Sequence, residues 1–426
     1  MITIRFSLIP VFILACSLSV FAQGLTSSGT TYSGEGAGFP VNTGSAQFTS
    51  MGIQGVSLID LFGSGLSNPA LWGTVSRTKG TTGLSISSID ATQNGVTTTN
   101  SLLSLNFLHL VFPLQQSKWG LSAAVYPVTS TGYNFSETAV LSPQESFTGD
   151  TLRFATSNES RGGISRAEIG LGWLINKRLS IGYAPSLQFM SSEVVTSLGI
   201  VANDVNTFTE GFGFAHRFGV FYRIPGSNGT SDILSMGATF TPPSSINTTR
   251  FSTSTELVGG DAQTVRFSEE DGEIELPLET SFGVSFFPGR FLNVSTEAQF
   301  QQWSTFSNDF EEDSNTKDRW NLGLGLQFHP YRSTRKSFLG ALRYDAGIAY
   351  DTGHLNIQGN DISTVWFSGG IGILGSSQRR SFSSIDIGVR YGMRGTSADN
   401  LVRENIWSVT MSINLGEAMF IRRKLR

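Results

Sequence analysis

Residues that commonly do chemistry are sparse and scattered in this sequence. No two histidines have the spacing of metal ligands, and no serine, histidine and aspartate can be grouped into a triad from their order alone. The four histidines are His109, His216, His329 and His354. The Gly-x-Gly pairs at Gly63, Gly170 and Gly370 lack the Lys-Ser or Lys-Thr of a phosphate-binding loop. The sequence therefore predicts that the protein is not an enzyme.

Two acidic clusters are the remaining candidates for a metal site. Glu269, Glu270 and Asp271 form the first. The second consists of Asp309, Glu311, Glu312 and Asp313. Their carboxylate oxygens suit Ca²⁺, but the same residues also suit the solvated tip of a loop. The prediction is no metal and no cofactor.

The composition restricts the class of protein. Charged residues make up 15% of the 426 residues, well below the roughly 25% of soluble domains. Few charges, with 48 glycines, 32 phenylalanines and many serines and threonines, suit a wall that is apolar on one side and polar on the other. A net charge of −4 argues against nucleic acid as a partner. A single cysteine excludes a disulfide framework.

Residues 1–22 have the features of a secretory signal peptide. Arg5 is the only charge, an apolar run from Phe6 to Ala15 follows, and small residues precede a cleavage point after Ala22. The alternative is a lipoprotein signal, because the residues up to Cys16 resemble a lipobox. Both interpretations predict export.

Alternation of large apolar with small or polar residues dominates from about residue 80 to the end. Runs of 10–14 residues suit tilted membrane-crossing strands, and the small face carries Arg, Glu and Asp that a dry core would not accept unpaired. His216 falls on the apolar face, so it lies near the interface or the register slips there. The pattern predicts an all-β fold, a 14-stranded antiparallel transmembrane β-barrel. The runs are 81–90, 101–112, 119–127, 164–175, 178–192, 209–224, 231–242, 274–287, 290–303, 318–329, 338–351, 362–374, 382–393 and 403–415.

Long and short connections between these runs alternate, which is typical of outer-membrane barrels. The long ones include 128–163, 193–208, 243–273 and 304–317. An even strand count places both termini on the short-turn, periplasmic side. The predicted organisation is a signal peptide (1–22), an N-terminal hatch or plug segment in the lumen (23–79), a barrel (80–416) and a basic periplasmic tail (417–426). A flexible periplasmic lead is the alternative for 23–79.

Several motifs occur in the order found in one transporter family. They are Asn68-Pro69-Ala70, Trp119–Pro127 followed by Gly132–Asn134, Leu276-Pro277 followed by Phe282-Gly283 and Gln302–Ser304, and Gly392–Thr396 followed by Leu401–Asn405 and Gly416-Glu417. With these motifs the mature chain resembles the FadL/TodX family of outer-membrane transporters for hydrophobic compounds, in a Bacteroidota-like subgroup. The departures are Met419-Phe420, where relatives tend to have Trp-Phe, and the basic end.

The resemblance implies a function and a location. It implies passive transport of long-chain fatty acids or other hydrophobic small molecules across the bacterial outer membrane. Capture would occur near the extracellular loops, and lateral release at a break in the third strand beside the hatch. The implied partners are the substrate, outer-membrane lipid and, during biogenesis, the barrel-assembly machinery. The alternative is a structural or cargo-binding partner in a type IX secretion system.

The resemblance also implies site residues. Asn68, Pro69 and Ala70 form the hatch motif, and Tyr126 and Pro127 mark the third-strand break. We hypothesise that Asn68 and Pro127 form one gate, although each also suits an ordinary turn or strand end. Loop aromatics are candidates for an apolar capture groove, or else small loop cores or interface residues. They are Phe135, Phe147, Phe154, Phe208 and Phe251.

A fatty-acid head group would need an inward-facing cation. Four arginines are candidates. They are Arg166, Arg217, Arg223 and Arg343. The same side chains are equally able to pair with Glu168 or Asp345, and the sequence leaves both interpretations open.

Overall fold

A computed structural model describes the greater part of the chain. The described residues are 29–141, 152–198, 204–226, 232–258, 261–311, 315–330, 337–375 and 381–417. The predicted signal peptide, Phe147, Glu312, Asp313 and residues 418–426 lie outside them.

Fourteen antiparallel strands form a closed barrel, which confirms the predicted fold class. Each strand pairs with the next, and the last pairs with the first. The strands are β1 (Thr78–Gln93), β2 (Val96–Gln115), β3 (Trp119–Pro127 and Tyr133–Leu141), β4 (Leu152–Leu174), β5 (Leu179–Leu198), β6 (Asp204–Pro225), β7 (Asp232–Thr241 and Ser244–Val258), β8 (Asp261–Leu276 and Glu279–Phe286), β9 (Leu292–Gln301 and Ser307–Asn308), β10 (Arg319–Phe328), β11 (Leu342–Asp351), β12 (Thr364–Leu374), β13 (Ser381–Gly395) and β14 (Arg403–Glu417).

Short elements complete the described structure. The two-residue strands are Phe39–Pro40, which pairs with Thr129–Ser130, and Asn356–Ile357, which pairs with Asn360–Asp361. One short α-helix, α1, spans Ala46–Ser50. The 3₁₀ turns are Thr31–Gly34, Pro69–Thr74, Trp303–Thr305, Leu339–Ala341 and Ala398–Asn400. No helix in the described ranges is long and apolar enough to cross a membrane.

The two faces of the barrel wall are opposite in polarity. Large apolar side chains point outward and are exposed, for example Phe214 at 67% and Leu415 at 61%. Polar side chains such as Gln188, Ser295 and Asn414 point inward and are fully buried. This arrangement is the reverse of a soluble domain and suits a wall whose outer face contacts lipid.

The alternation of outward- and inward-facing residues continues unbroken through His216, the position that the sequence left in doubt. His216 is exposed on the outer face of β6, between the outward-facing Phe214 and Phe218. Its Nδ1 lies 2.9 Å from the Tyr183 hydroxyl on β5. The register therefore does not slip there, and the histidine gains a polar partner on the lipid-facing side.

The connections predicted as long loops are largely strand. β4 spans 23 residues, or about 75 Å at roughly 3.3 Å per residue, far more than a hydrocarbon core of about 30 Å requires. β1 and β2 meet in a two-residue turn in which Asn94 and Gly95 both have positive φ. A polar segment rich in Thr and Ser resembles a loop, but threonine is β-branched and therefore also suits the strands of a solvent-exposed hairpin. Strands on this side therefore project beyond the membrane.

The leading segment, residues 29–77, contacts widely separated strands of the ring. The Ala46 amide donates to Ser412 Oγ on β14 (2.8 Å), and the Ser368 hydroxyl of β12 donates to the Ser50 carbonyl (2.9 Å). Ser57 Oγ lies 2.8 Å from Ser285 Oγ on β8. The leading segment is therefore hydrogen-bonded to several separate strands of the closed barrel. β1 begins at Thr78, two residues before the predicted boundary.

Candidate functional site

The third strand is interrupted after Pro127, where the chain leaves the ladder of the wall. Thr129–Ser130 pairs there with Phe39–Pro40 of the leading segment, and the Val41 amide donates to the Val128 carbonyl (2.9 Å). Since proline has no amide hydrogen, Pro127 cannot contribute a donor to the wall. The strand resumes at Tyr133, so the wall and the leading segment are joined at the interruption.

The interruption leaves a lateral gap in the barrel wall. The first part of β3 pairs with Leu108–Gln115 of β2. The second part, Tyr133–Leu141, pairs only with β4 among the described strands. Within those strands, nothing pairs with residues 96–107 of β2 on the side that faces β3. The gap lies where Gly34 of the 3₁₀ turn Thr31–Gly34 comes close to the Tyr133 ring.

A small apolar pocket of about 60 Å³ lies at the gap. Its wall comes from β2, both sides of the interruption, β4 and the leading segment. The lining residues are Val41, Leu102, Leu103, Ser104, Leu105, Val125, Tyr126, Pro127, Thr129, Ser130, Gly132, Gly162 and Ser165. The predicted break residues Tyr126 and Pro127 are thus part of a pocket next to the gap.

A larger cavity of about 240 Å³ lies inside the barrel. Val41, Leu102, Tyr126 and Pro127 are among the residues that border both spaces. Most of its other lining residues are polar, and seven are charged. The charged residues are Arg166, Arg217, Glu279, Arg319, Asp351, Arg390 and Arg394. The central cavity therefore has mixed polarity, while the space at the gap is mainly apolar.

Most arginines inside the barrel are paired with carboxylates. Arg217 contacts Glu168 at 2.5 Å, and Arg319 binds Asp351 through two nitrogens at 2.8 and 2.6 Å. Arg343 contacts Asp345 at 3.1 Å and also a carboxylate of β13. For Arg217 and Arg343, the pairing alternative is the observed one.

Two cavity arginines have no carboxylate partner among the described residues. Arg166 Nε donates to Gln188 at 2.8 Å, on the inner face of β5. The Arg390 guanidinium lies 4.0 Å from the ring centre of Trp366, and its Nε has no hydrogen-bond acceptor in the described structure. The fourth candidate, Arg223, lies 3.6 Å from Asp232.

The hatch motif packs against a row of inward-facing glycines. Asn68 caps the 3₁₀ turn Pro69–Thr74, with its Oδ1 accepting from the Ala70 amide (3.0 Å). A Cβ at Gly182 would lie 2.2 Å from the Pro69 carbonyl carbon, and one at Gly120 would lie 2.0 Å from the Trp72 carbonyl oxygen. Gly170, Gly172 and Gly219 make similarly close approaches to this turn. Only glycine lets the backbones come this near.

The two residues of the hypothetical gate lie in different environments. Asn68 Nδ2 donates to the carbonyls of Val56 (2.9 Å) and Val220 (3.0 Å), next to β6. Pro127 borders the pocket and the central cavity at β3. No hydrogen bond in the described structure joins Asn68 to the interruption, so one gate would need both sites to move together.

The candidate groove aromatics do not form one surface. Phe208 stacks on Phe251 with ring centres 5.1 Å apart, while Phe135 stacks on Tyr133 at 5.4 Å. Phe154 faces Ala139 across the β3–β4 ladder. None of these four phenylalanines lines either of the two spaces near the interruption.

Two carboxylates that the sequence did not single out hold the leading segment. Glu297 of β9 accepts the amides of Gln54 (2.7 Å), Gly55 (3.1 Å) and Val56 (2.6 Å). Glu404 of β14 accepts the Thr30 hydroxyl and the Thr31 amide. An acidic residue on an otherwise small, neutral inward face is the signal that would have found both.

A buried aromatic cluster lies at the Phe39 strand. The His354 ring lies edge-on to Phe39, with ring centres 5.1 Å apart, and tilted against Trp303 at 4.7 Å. Its burial lowers its pKa to about 3. Burial raises the pKa of Tyr32 to about 12, and its hydroxyl donates to the Val402 carbonyl. The cluster packs the leading segment against the rim.

The acidic clusters provide no support for a metal site within the described ranges. No group of three or more His, Cys, Asp or Glu side chains there is arranged to hold an ion. Asp309 Oδ2 instead accepts the Glu273 amide at 2.9 Å, and Asp271 accepts the Thr249 hydroxyl at 2.7 Å.

Solved structures of similar fold include proteins described as a transporter and a channel. The Ralstonia pickettii toluene transporter TbuX has a TM-score of 0.58 at 14% identity, covering 91% of this chain and all of its own. A Pseudomonas aeruginosa FadL homologue has a TM-score of 0.59 at 11% identity, covering 89% of this chain and 99% of its own. The CymD monoaromatic hydrocarbon channel has a TM-score of 0.53 at 14% identity, with the same coverage of both chains. At these identities the comparison establishes the fold alone, and that fold is the one that the FadL/TodX resemblance implied.

Sequence comparison gives a more specific placement. No curated protein matches the chain. A family model described as BamG matches residues 3–426, which is nearly the whole sequence. The protein therefore belongs to the BamG family.

Proposed function

We propose that the protein is a passive outer-membrane transporter of hydrophobic small molecules, such as long-chain fatty acids, with lateral release between β2 and β3. The observation on which this depends is the gap with its adjoining apolar pocket. Structural neighbours described as a toluene transporter and a monoaromatic hydrocarbon channel support it. The strands that project beyond the wall would provide the capture surface, and the apolar outer face would receive the released compound.

Transport on this scheme requires movement of the leading segment. Small-molecule sites usually have volumes of roughly 300–1,000 Å³. The pocket has about 60 Å³ and the central cavity about 240 Å³, and the two spaces share a wall. The Thr129 hydroxyl donates to the Ala37 carbonyl at 2.6 Å and helps to hold that wall closed. Separation of Phe39–Val41 from Val128–Ser130 would join the spaces.

A reversible cross-link tests this proposal. Thr131 Oγ1, at the interruption, lies 3.1 Å from Ser192 Oγ on β5. The pair Thr131→Cys and Ser192→Cys should form a disulfide that fixes the interruption. We expect oxidation to abolish uptake of a fluorescent fatty acid by cells without other such transporters, and a reductant to restore it.

The matched control places the disulfide far from the gap. Thr92 Oγ1 and Thr97 Oγ1 lie 2.8 Å apart near the β1–β2 turn. Their cysteine variants should form a disulfide without affecting uptake. Undiminished uptake by the oxidised Thr131–Ser192 pair would exclude lateral release through a moving interruption.

A second candidate function is a structural or cargo-binding partner in a secretion system. The ion pairs inside the barrel favour it, because a continuous apolar tunnel would suit transport better than paired charges. Native mass spectrometry of gently extracted protein separates the two. A lipid-sized adduct displaced by oleate supports transport, and a stoichiometric protein partner supports the second candidate.

A further inference from the structure

The upper parts of β7 and β8 form a hairpin that projects beyond the barrel wall. It consists of Ser244–Val258 and Asp261–Leu276, and we call it the projecting hairpin. Prolines separate it from the lower strands, at residues 242–243 in β7 and at Pro277 in β8. On one side it continues the sheet through β6. On its other side, the strand Asp261–Leu276 forms a sheet edge, which we call the β8 edge.

This edge is exposed because β9 leaves the sheet. The first part of β9 ends at Gln301, and Trp303 and Phe306 then pack against Ile164, Ile246 and Ile274. Only Ser307–Asn308 returns to pair with the base of the edge. In the part of the chain that the structure describes, no strand pairs with the edge above Glu273.

The direction of the free backbone groups follows from the base of the edge. The Asp309 amide donates to the Glu273 carbonyl (3.2 Å), and the Glu273 amide donates to Asp309 Oδ2 (2.9 Å). Both backbone groups of Glu273 therefore point away from β7. Because alternate residues of a strand point the same way, Glu269 and Asp271 present their amides and carbonyls to the empty side.

The side chains of the edge are strongly acidic. The strand Asp261–Leu276 has six acidic residues and one basic residue, Arg266. Arg266 is already engaged, with its guanidinium 3.7 Å from the ring centre of Phe251 and 2.9 Å from Glu269. All residues from 264 to 271 are exposed, including Phe267 at 58% in a β-bulge.

A charged edge both excludes and selects partners. Two copies of this edge would repel each other, which protects the protein from pairing with itself. The same charges favour an incoming strand that carries lysine or arginine. The β8 edge has free backbone groups and acidic side chains, so it is complementary to a basic, extended chain.

We propose that the β8 edge of the projecting hairpin binds a basic, extended segment of another protein as an added β-strand. Backbone hydrogen bonds to Glu269 and Asp271 align the segment. The carboxylates of Glu269, Glu270 and Asp271 select its charge. This surface lies outside the interruption, and its function does not depend on transport.

A pair of variants at one position isolates the backbone contribution. Glu269→Ala removes the carboxylate and keeps the amide hydrogen, whereas Glu269→Pro removes both. Proline is tolerated at an edge when its missing hydrogen faces solvent. The probe is a fluorescent ten-residue peptide of alternating lysine and valine, titrated against the purified full-length protein in detergent. We expect Glu269→Pro to bind about tenfold more weakly than Glu269→Ala.

The charge contribution is measured separately. The triple variant Glu269→Gln, Glu270→Gln, Asp271→Asn should weaken binding at low salt and reduce its salt dependence. A peptide of alternating glutamate and valine should not bind. Hydrogen exchange should show that the basic peptide protects the amides of Glu269 and Asp271.

The results that overturn the proposal are distinct. Equal affinity of Glu269→Pro and Glu269→Ala, with unprotected amides, would mean that the peptide contacts a charged surface without strand addition. Equal binding of the acidic and basic peptides would exclude charge selection. Heat-modifiable migration of each variant on gels checks that the barrel is intact.

Discussion

The leading segment meets the barrel in two regions of different chemistry. The turn Pro69–Thr74 packs on glycines of β3 to β6, at distances where a methyl group would overlap backbone. The stretch from Thr30 to Val56 is instead bonded to the carboxylates of Glu404 and Glu297. Shape holds the first region, so salt and pH should affect it little. Charge-assisted hydrogen bonds hold the second, and this is the region next to the gap.

Gly182→Ala should have the largest effect, because it destroys the shape-based contact. Its Cβ would lie 2.2 Å from the Pro69 carbonyl carbon and 2.4 Å from the Ala70 amide nitrogen. Overpacking costs typically about 1–3 kcal/mol, and backbone cannot move aside as a side chain does. We expect displacement of the Pro69 turn and leakage of large antibiotics in a sensitivity assay. The control is Gly289→Ala, where a Cβ meets no atom within 4 Å; equal leakage in both would contradict the comparison.

Glu404→Gln should release only the charged region. The substitution weakens the bonds from Thr30 and Thr31 and leaves Arg394, 3.2 Å away, without its charge partner. Hydrogen bonds to charged groups contribute about 1.5–3 kcal/mol each. We expect faster hydrogen exchange at residues 30–41 and unchanged exchange at 69–74. Acceleration in both stretches would mean that the segment moves as one unit.

Acid should loosen the same region through His354. Its pKa is lowered to about 3 in the folded protein, from an ordinary value near 6.5, because the ring is buried. The unfolded state therefore binds more protons between these values. Burial of the neutral His354 ring therefore contributes fully to the free energy of unfolding above pH 6.5. As pH falls from 6.5 towards 3, this contribution is lost, by about 1.4 kcal/mol per pH unit at most.

The measurement is the fluorescence of the tryptophans during acid titration, because the ring centre of Trp303 lies 4.7 Å from that of His354. His354→Phe keeps a ring between Phe39 and Trp303 and cannot be protonated. Its titration curve should be flatter than that of the parent. Identical curves would show that His354 does not control the region.

Pro127→Ala should have the smallest effect. The interruption is also set by the pairing of Thr129–Ser130 with Phe39–Pro40, which alanine at 127 leaves in place. We expect fatty-acid uptake within about twofold of the parent and a stability change below about 0.5 kcal/mol. Thr129→Val, which removes the hydroxyl that donates to Ala37, should change uptake more. The reverse order would place the control of the gap at Pro127 itself.

Asn68→Ala completes the test of the gate hypothesis. It removes the side chain that bonds Val56, Val220 and Ala70, so it should loosen the glycine-packed region. If neither Asn68→Ala nor Pro127→Ala changes uptake of a hydrophobic substrate, the two residues do not form a gate.

The barrel fold could be predicted from the sequence, because the alternation of large apolar with small or polar residues repeats along each strand. Alternation placed His216 on the outer face and gave the correct number of strands. It could not give the length of the projecting strands, since serine and threonine suit solvated strand and loop alike. The prediction of a third-strand break at Pro127 came from the family resemblance and not from the alternation.

The contacts of the leading segment could not be predicted from the sequence. Glu297 and Glu404 meet residues more than 200 positions away, and local pattern carries no information on such pairs. The inward glycines were visible as a pattern, but not as the surface on which Trp72 and Pro69 pack. Likewise, the pairing of Arg217 with Glu168 depends on which strands become neighbours.

The position of the leading segment has a consequence for the order of assembly. Its polar groups satisfy carboxylates on β9 and β14, and its turn fills the space between glycines on β3 to β6. A ring that closed before the segment arrived would bury Glu297 and Glu404 without these donors, which is costly in a water-poor interior. Ring closure would therefore be most favourable with the segment already in place, and the segment would then act as a template for the circumference of the barrel.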